Sequence, residues 1–380
     1  MAGLYLHIPF CASRCIYCGF YSTVGLDLQQ RYVDALCKEM SLRPTEETIT
    51  TIYLGGGTPS QLSIQQLRQL FSYIKKVYRL QLEEVTIECN PDDVTAQLAE
   101  ALKSLPVNRV SMGVQTFDDH RLQFLHRRHK ASQVSTAVKL LRQGGIDNIS
   151  IDLIYGFPKQ TLPEWDDDIN QAIALNVEHL SAYALTYEEG TPLYRMMQRG
   201  EVEEIDEELS RQMYERLIDR LTATGFEHYE ISNFAKPTRR SRHNSSYWQE
   251  KPYIGLGAAA HSFNLYERLW NVADIRQYID SIENGYLPVE SESIDGDTRY
   301  NDRITVALRT CEGLDLNILT PQHRQYCLQE AQPFLSDGLL ELTDHHLHLT
   351  RRGLFVSDLV MSSLMFVCRQ NKPLSVLNIK

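Results

Sequence analysis

The sequence predicts an α/β fold: an incomplete parallel (β/α)6-type barrel, followed by a small C-terminal helical domain of winged-helix-like type. Over the first 235 residues, short runs rich in β-branched residues alternate with longer stretches of 3.6-residue periodicity. This alternation predicts a parallel sheet with right-handed crossovers. A complete eight-unit barrel takes about 250 residues, and only six units fit before residue 224. The barrel is therefore expected to be open on one side.

Six apolar runs are the predicted strands of this barrel. Val and Ile are frequent in them, as burial on both faces of a parallel sheet requires. The segments between the runs, such as LDLQQRYVDALCKEM and SIQQLRQLFSYIKKVY, carry the helical period. A later segment, FEHYEISNFA, is a candidate for one further strand. The six runs, in chain order, are LYLHI, TTIYLGGG, EEVTIECNP, NRVSMGVQ, NISIDLIYGFP and EHLSAYALTYEEG.

Three domains are predicted. Residues 1–235 form the partial barrel, residues 236–295 a polar and then glycine- and alanine-rich connecting region, and residues 296–380 the C-terminal domain. In the last of these, helical patterns precede LLELTDHHLHLTRRG, which is typical of a hairpin with a polar turn at Asp344–His345. The histidines at this turn are interpreted as solvated side chains and not as a metal tract.

Composition narrows the classes of function. A hydrophobic fraction of 43% is typical of a globular chain, and the net charge of −11 disfavours binding to nucleic acid. The apolar start LYLHIPF is too short for a secretory signal, and no run approaches the roughly 18 apolar residues of a membrane span. A cytoplasmic protein is expected, in which eight cysteines do not indicate a disulfide framework. Most of the scattered cysteines are interpreted as buried thiols.

Three cysteines follow the first predicted strand with the spacing C-x3-C-x2-C: Cys11, Cys15 and Cys18. A structural zinc site needs four ligands, and here the fourth would have to be His7 or a remote residue. Three thiolates can instead hold an iron–sulfur cluster and leave one iron for an exogenous ligand. The spacing favours the cluster, and zinc stays the alternative.

Polar or glycine residues lie at the ends of all six predicted strands. The carboxyl ends of barrel strands are where such folds place their chemistry. A single residue of this kind carries little information, because a glycine run can simply form a turn. The series predicts one shared pocket. Its members are Tyr5, Gly55–Thr58, Glu88, Gln115, Asp152 and Thr186.

The cysteine motif with its downstream glycine run resembles the radical S-adenosylmethionine superfamily. Within it, the segments LYLHIPFCASRCIYCGF, YLGGGTPS, TIECNP, SMGVQTF, LHRRH and IDLIYGFPKQT resemble the HemN/HemW branch, the oxygen-independent coproporphyrinogen oxidase-like proteins. The resemblance covers nearly the whole chain. It implies a [4Fe–4S] cluster on the three cysteines, with the amine and carboxylate of S-adenosylmethionine on the open iron.

The same resemblance implies which residues contact S-adenosylmethionine. The glycine backbone is expected beside the methionine amine, where a Cβ would intrude. Arg127 is expected at the methionine carboxylate, although by itself it could be one charge on a solvated HRRH face. The side chains of Glu88, Gln115 and Asp152 are expected to contact the methionine amine or the ribose hydroxyls of S-adenosylmethionine. The positions are Tyr5, Gly56, Gly57, Thr58, Glu88, Gln115, Arg127 and Asp152.

The branch that the chain resembles contains oxidases, which decarboxylate coproporphyrinogen III, and haem chaperones. Three features favour a haem chaperone. Phe20 stands where the oxidases carry a fourth cysteine, no N-terminal extension like that of the oxidases is expected before the first strand, and residues 243–248 match an HNxxYW motif of the chaperones. The oxidase is the alternative. A radical enzyme that modifies RNA is a third possibility, which the net charge disfavours.

Haem needs an axial ligand, most often neutral His, with aromatic neighbours and cations for its propionates. On the strength of the resemblance, His243 is the predicted ligand, with Tyr247 and Trp248 beside it. The residues alone favour a structural role for His243. His261 in GLGAAAHSF is the second candidate, although Ala259 stands where the resemblance leads one to expect glycine.

The resemblance also implies partners. The expected acceptor of haem is a respiratory haem protein at the membrane. The chain itself is expected to have no transmembrane segment, to make at most peripheral membrane contact, to bind no nucleic acid and to form a homodimer.

Overall fold

A computed structural model of the chain describes residues 1–367. The chain divides into two compact units, of which the first ends at Ser293 and the second begins at Ile294. The predicted connecting region, residues 236–295, contributes two helices and four strands to the first unit. Residues 368–380 of the predicted C-terminal domain, with Cys368, lie outside the described residues.

The described residues contain fifteen strands. They are β1 (Ala2–Ile8), β2 (Ile49–Gly56), β3 (Leu80–Cys89), β4 (Arg109–Gln115), β5 (Asn148–Tyr155), β6 (His179–Ala184), β7 (Glu227–Glu230), β8 (Asn233–Ala235), β9 (Tyr253–Leu256), β10 (His261–Phe263), β11 (Glu267–Asn271), β12 (Val289–Ser293), β13 (Leu314–Asp315), β14 (Leu340–Thr343) and β15 (His346–Leu349).

The described part of the chain also contains fourteen α-helices. They are α1 (Gln29–Leu42), α2 (Ile64–Val77), α3 (Ala96–Lys103), α4 (Asp119–Phe124), α5 (Ala131–Gln143), α6 (Leu162–Ala174), α7 (Pro192–Gln198), α8 (Glu207–Ala223), α9 (Arg242–Trp248), α10 (Ile275–Glu283), α11 (Gly296–Ala307), α12 (Pro321–Ser336), α13 (Arg351–Leu354) and α14 (Ser357–Leu364).

Strands β1 to β6 lie side by side in chain order and are all parallel. Their interiors are almost wholly buried on both faces, as expected where helices cover one face of the sheet and the barrel interior the other. The incomplete parallel barrel with a C-terminal domain is therefore confirmed. The candidate seventh strand in FEHYEISNFA forms a short antiparallel hairpin, β7–β8, whose second strand pairs with β6.

The sheet also extends beyond β1 on its other side. Strand β9 pairs with β1 in parallel, and β10, β11 and β12 follow as an antiparallel ribbon, so the whole sheet has twelve strands. Gly255 permits the tight turn between β9 and β10, because a Cβ there would lie 1.9 Å from the His261 carbonyl oxygen. The region after residue 250 is thus part of the sheet.

Helix α2 illustrates how local sequence sets the barrel helices. Ser63 accepts a hydrogen bond from the Gln66 backbone, and the Gln66 side chain accepts one from the Ser63 backbone, which completes a capping box. Leu67, Leu70 and Ile74 then repeat at helical spacing and are buried. The 3.6-residue period of such apolar residues was the basis for the predicted alternation of strands and helices.

The second unit packs helices around a three-stranded antiparallel sheet in the order β13-β15-β14. The predicted hairpin is confirmed as β14–β15, joined by Asp344 and His345 with φ of 50° and 66°. Two consecutive positive φ values are the signature of a type I′ turn, whose twist matches that of the flanking strands. No helix within residues 1–367 is long and apolar enough to cross a bilayer.

Candidate functional site

The three motif cysteines lie in one irregular loop between β1 and α1. All three are free and partly exposed. Thr58 Oγ1 donates to Cys11 Sγ at 3.6 Å, and Arg127 Nη1 donates to Cys15 Sγ at 3.6 Å. Burial raises the pKa of the Cys11 and Cys18 thiols. Two residues expected near the cofactor thus contact the cysteine loop directly.

Backbone hydrogen bonds hold the cysteine loop in place at its base and at its centre. At the base, Thr23 N donates to Pro9 O at 2.7 Å. At the centre, Ile16 N donates to Leu125 O at 3.3 Å, and Ile16 O accepts from Leu193 N at 3.0 Å. The loop is therefore tied to the segments that follow β4 and β6, which lie far away in sequence.

The glycine run at the end of β2 packs against the end of β1. Gly56 has φ of +110°, and a Cβ there would lie 2.5 Å from the His7 ring. A Cβ on Gly57 would lie 2.7 Å from the Pro9 carbonyl carbon, and Gly57 N donates to Ile8 O at 2.9 Å. Close packing inside the protein already requires these two glycines. Their role beside the methionine amine stays a prediction.

Two half-buried carboxylates lie at the carboxyl ends of β3 and β5. Glu88 accepts from Tyr53 Oη at 2.8 Å and from Gly56 N at 3.1 Å. Burial raises the pKa of Glu88 to about 7 and that of Asp152 to about 6, while the positive charge of Arg109 opposes the change at Asp152. Carboxylates in this setting gain stability from an added cation or hydroxyl donor.

Arg127 and Gln115 occupy the end of β4. Arg127 Nη2 donates to Asn90 Oδ1 at 2.6 Å and to Gly113 O at 2.5 Å, so the guanidinium is held against the strand ends and is not part of a solvated face. Gln115 is buried with φ of +69°, at a register shift between β4 and β5. A positive φ is strained for a residue other than glycine, and no sequence signal reports it.

His7, the alternative fourth zinc ligand, lies at the end of β1. Its Nδ1 is 3.0 Å from Tyr5 Oη and its Nε2 is 2.9 Å from Tyr21 O. Burial lowers the pKa of His7 to about 4, so the ring is neutral at pH 7. In residues 1–367, no group of three or more His, Cys, Asp or Glu side chains is arranged to hold a single metal ion.

His243 lies at the opposite, amino end of the barrel. Its side chain is 0% exposed, with Nδ1 at 2.8 Å from Thr51 Oγ1 and Nε2 at 2.7 Å from Tyr247 Oη. Its ring stacks on Tyr53, and burial lowers its pKa to about 3. Iron ligation at His243 would require one of these hydrogen bonds to break. His243, Tyr247 and Trp248 all lie on α9. Haem binding at these residues stays a prediction.

A second buried histidine and a buried arginine share this amino end, and sequence reasoning missed both. His179 lies 2.8 Å from Ser150 Oγ and 2.8 Å from Tyr229 Oη. Arg109 is 1% exposed, and its Nε and Nη1 have no hydrogen-bond partner within the described residues. A charged residue at the start of the apolar run NRVSMGVQ was the available signal.

His261, the second haem candidate, lies at the start of β10 with an exposed side chain. Its ring stacks on Trp270 of β11, with centroids 6.2 Å apart. The preceding Ala259 has φ of +60°, which explains why glycine was the expected residue there.

Comparisons with known proteins identify the family. The model of the radical SAM superfamily matches residues 5–172, and that of the HemN C-terminal domain matches residues 294–356. The chain is 34% identical over 376 residues to "Heme chaperone HemW" of Bacillus subtilis, covering 96% of this chain and 99% of that one. It is 32% identical to "Heme chaperone HemW" of Mycobacterium tuberculosis, covering 96% and 94%.

A solved structure shows the same fold. It is the coproporphyrinogen III oxidase HemN of Escherichia coli, a radical SAM enzyme, with a TM-score of 0.83 at 21% identity over 96% of this chain and 90% of that one. The similarity in sequence to the HemW proteins runs through both units. The chain therefore belongs to the HemW family, in the HemN/HemW branch of the radical S-adenosylmethionine superfamily.

Proposed function

We propose that the protein is a haem chaperone, which binds haem and delivers it to an acceptor protein. The observation that carries this proposal is the similarity, at 34% identity over 99% of the relative, to a protein named as a heme chaperone. The acceptor is proposed to be a respiratory haem protein. Delivery is proposed to take place from the cytoplasm, by a homodimer with peripheral contact to the membrane.

A [4Fe–4S] cluster and S-adenosylmethionine are part of the proposal. The residues present fit the cluster, because three free thiols lie in one loop beside a fixed guanidinium. Cys11, Cys15 and Cys18 would hold it. When bound, the cluster supplies an iron with an open position, which can accept the amino acid end of S-adenosylmethionine.

The chain's own residues would position the nucleotide. Arg127 places a cation at the ends of the strands, where it can pair with a carboxylate. Glu88 and Asp152 can accept hydrogen bonds from an amine or from hydroxyls, and such bonds would favour their ionised forms. Gln115 adds a neutral amide, and the Tyr5 ring lies 6.0 Å from that of His7 near the base of the cysteine loop.

Phe20 separates this proposal from the second candidate function, oxygen-independent coproporphyrinogen III oxidation. The Phe20 side chain is 50% exposed beside the cysteine loop and cannot ligate metal or carry a proton as a thiol can. Oxidation is the second candidate because Thr58 and Arg127, two residues expected at S-adenosylmethionine, contact the cysteine loop.

One experiment tests both candidates. Protein reconstituted anaerobically with iron and sulfide is titrated with haemin, and separately incubated with S-adenosylmethionine, a reductant and coproporphyrinogen III. The proposal predicts saturable haemin binding, transfer of haem to an apo-form of a respiratory haem protein, and no release of carbon dioxide. Stoichiometric carbon dioxide without haemin binding would establish the oxidase instead.

A further inference from the structure

A cavity of about 720 Å³ lies between α4 and α7, beside the cysteine loop. We call it the side groove. Pockets of about 300–1,000 Å³ take ligands of drug or cofactor size. Its walls combine apolar, imidazole and guanidinium groups, supplied by Ile16, His120, Phe124, His126, Arg195 and Met196.

The two histidines of the side groove differ from the buried histidines of the barrel. Both side chains are exposed, and neither ring makes a hydrogen bond within residues 1–367. At His243, by contrast, both ring nitrogens already have partners. A nitrogen that is to ligate iron needs a free lone pair and access to the ligand. His120 and His126 meet both conditions in the conformation observed.

The side groove is lined by positively charged side chains, whereas the whole chain is negatively charged. The chain has a net charge of −11, yet no Asp or Glu lines the groove. Arg195 makes no ion pair among the described residues, while Arg199, also in the lining, pairs with Glu201 at 2.5 Å. A flat apolar ligand with carboxylates at one edge would complement this surface.

We propose that the side groove is the haem site, with iron ligated by the imidazole of His120 or of His126 and the propionates directed toward Arg195. This inference rests on the proposed function and adds the location of the ligand. Phe124 and Met196 supply the apolar contacts for the porphyrin faces. Because Ile16 lies between Cys15 and Cys18, haem in the groove would touch the loop proposed to hold the cluster, and binding of one would affect the other.

The test is a haemin titration of the cluster-loaded protein, followed by absorbance. The groove variant combines His120→Gln with His126→Asn. Asn is chosen because His126 has φ of +61°, a conformation that Asn tolerates. The matched control is His345→Asn, which replaces another exposed histidine at positive φ, 66°, in the second unit. Thermal unfolding of each variant checks that the fold is intact.

The inference predicts that the groove variant loses roughly tenfold or more in haemin affinity and loses the spectrum of histidine-ligated iron. The control keeps both. If the groove variant binds as the unsubstituted protein does, while His243→Gln or His261→Gln abolishes the spectrum, the side groove is excluded and the proposed function survives. If the unsubstituted protein binds no haemin at all, the proposed function and this inference fail together.

Arg195→Gln separates a ligand contact from a structural role. It should weaken haemin several-fold and leave the dimethyl ester of haemin unaffected, because the ester lacks the carboxylates. Equal loss for both ligands would overturn the assignment of the propionates to Arg195.

Discussion

The two ends of the barrel are both lined with polar side chains, but they use them differently. At the carboxyl end, the thiols of the cysteine loop, Glu88 and Arg127 keep capacity for a further ligand and stay partly exposed. At the amino end, His179 and His243 are buried with both ring nitrogens engaged. Polar residues therefore mark a candidate binding site only where their hydrogen-bonding capacity is not already used inside the protein.

Arg109 links the two ends electrostatically. It is buried at the start of β4, and its positive charge opposes the effect of burial on the pKa of Glu88 and Asp152. The amino end of the barrel thus contributes a counter-charge to the carboxylates at the carboxyl end.

The largest effect of a substitution is expected at the carboxyl end of the barrel. Replacing Cys11, Cys15 and Cys18 together by Ser should abolish the visible absorbance of the anaerobically reconstituted protein, because no thiolate remains to hold iron. Replacing Cys37, a buried cysteine of α1, should leave the band in place. A band that persists in the triple variant would remove the functional distinction between the two ends.

The second largest effect is expected at the amino end of the barrel. His243→Ala should lower the free energy of unfolding by about 4 kcal/mol, because it leaves Thr51 and Tyr247 without their partner and opens a cavity. Denaturant unfolding measures this loss. The control, His261→Ala, removes an exposed histidine and should cost about 0.5 kcal/mol or less. Equal losses for the two variants would contradict a structural role for His243.

A smaller effect concerns pH. The folded-state pKa of Glu88 is raised from 4.5 to about 7, so between these values the folded state binds more protons than the unfolded state. Stability in the absence of ligand should therefore fall as pH rises from about 4.5 to 7 and then level off. Over this pH range the unfolding free energy of the unsubstituted protein should fall by about 2 kcal/mol relative to that of Glu88→Gln. The loss is smaller than the full difference in pKa implies, because the Glu88 side chain keeps some contact with solvent.

The same pH series sharpens the comparison in the presence of ligand. S-adenosylmethionine should bind more tightly above pH 7, where Glu88 is ionised, and Glu88→Gln should remove this dependence. A pH-independent affinity in the unsubstituted protein would mean that Glu88 does not contact the ligand.

The smallest effect is expected in the turn after β9. Ala259→Gly should raise the free energy of unfolding by about 1 kcal/mol, because φ of +60° strains alanine and suits glycine. The neighbouring Ala258 is buried without a positive φ, so Ala258→Gly should destabilise the protein. A gain for both variants would point to general loosening of this segment and not to relief of backbone strain.

The sequence by itself determined those features whose causes are local. Alternating strand and helix periods predict the partial barrel, and a polar pair between two short apolar runs predicts the hairpin at Asp344–His345. The spacing of three cysteines predicts one loop that can hold a cluster. Each of these signals lies within about 20 residues of chain, where hydrophobic period and turn chemistry act directly.

Only the tertiary structure decided what depends on distant partners. Strand β9 pairs with β1 across roughly 250 residues, and its four residues carry too short a pattern to predict this pairing. The buried ring of His243 forms a hydrogen bond with the side chain of Thr51, which is 192 residues away in sequence, at the amino end of the barrel. The side groove forms where Ile16 is tied to Leu125 and Leu193. Whether a polar side chain keeps hydrogen-bonding capacity for a ligand depends on which groups the fold brings to it, and no local pattern encodes that.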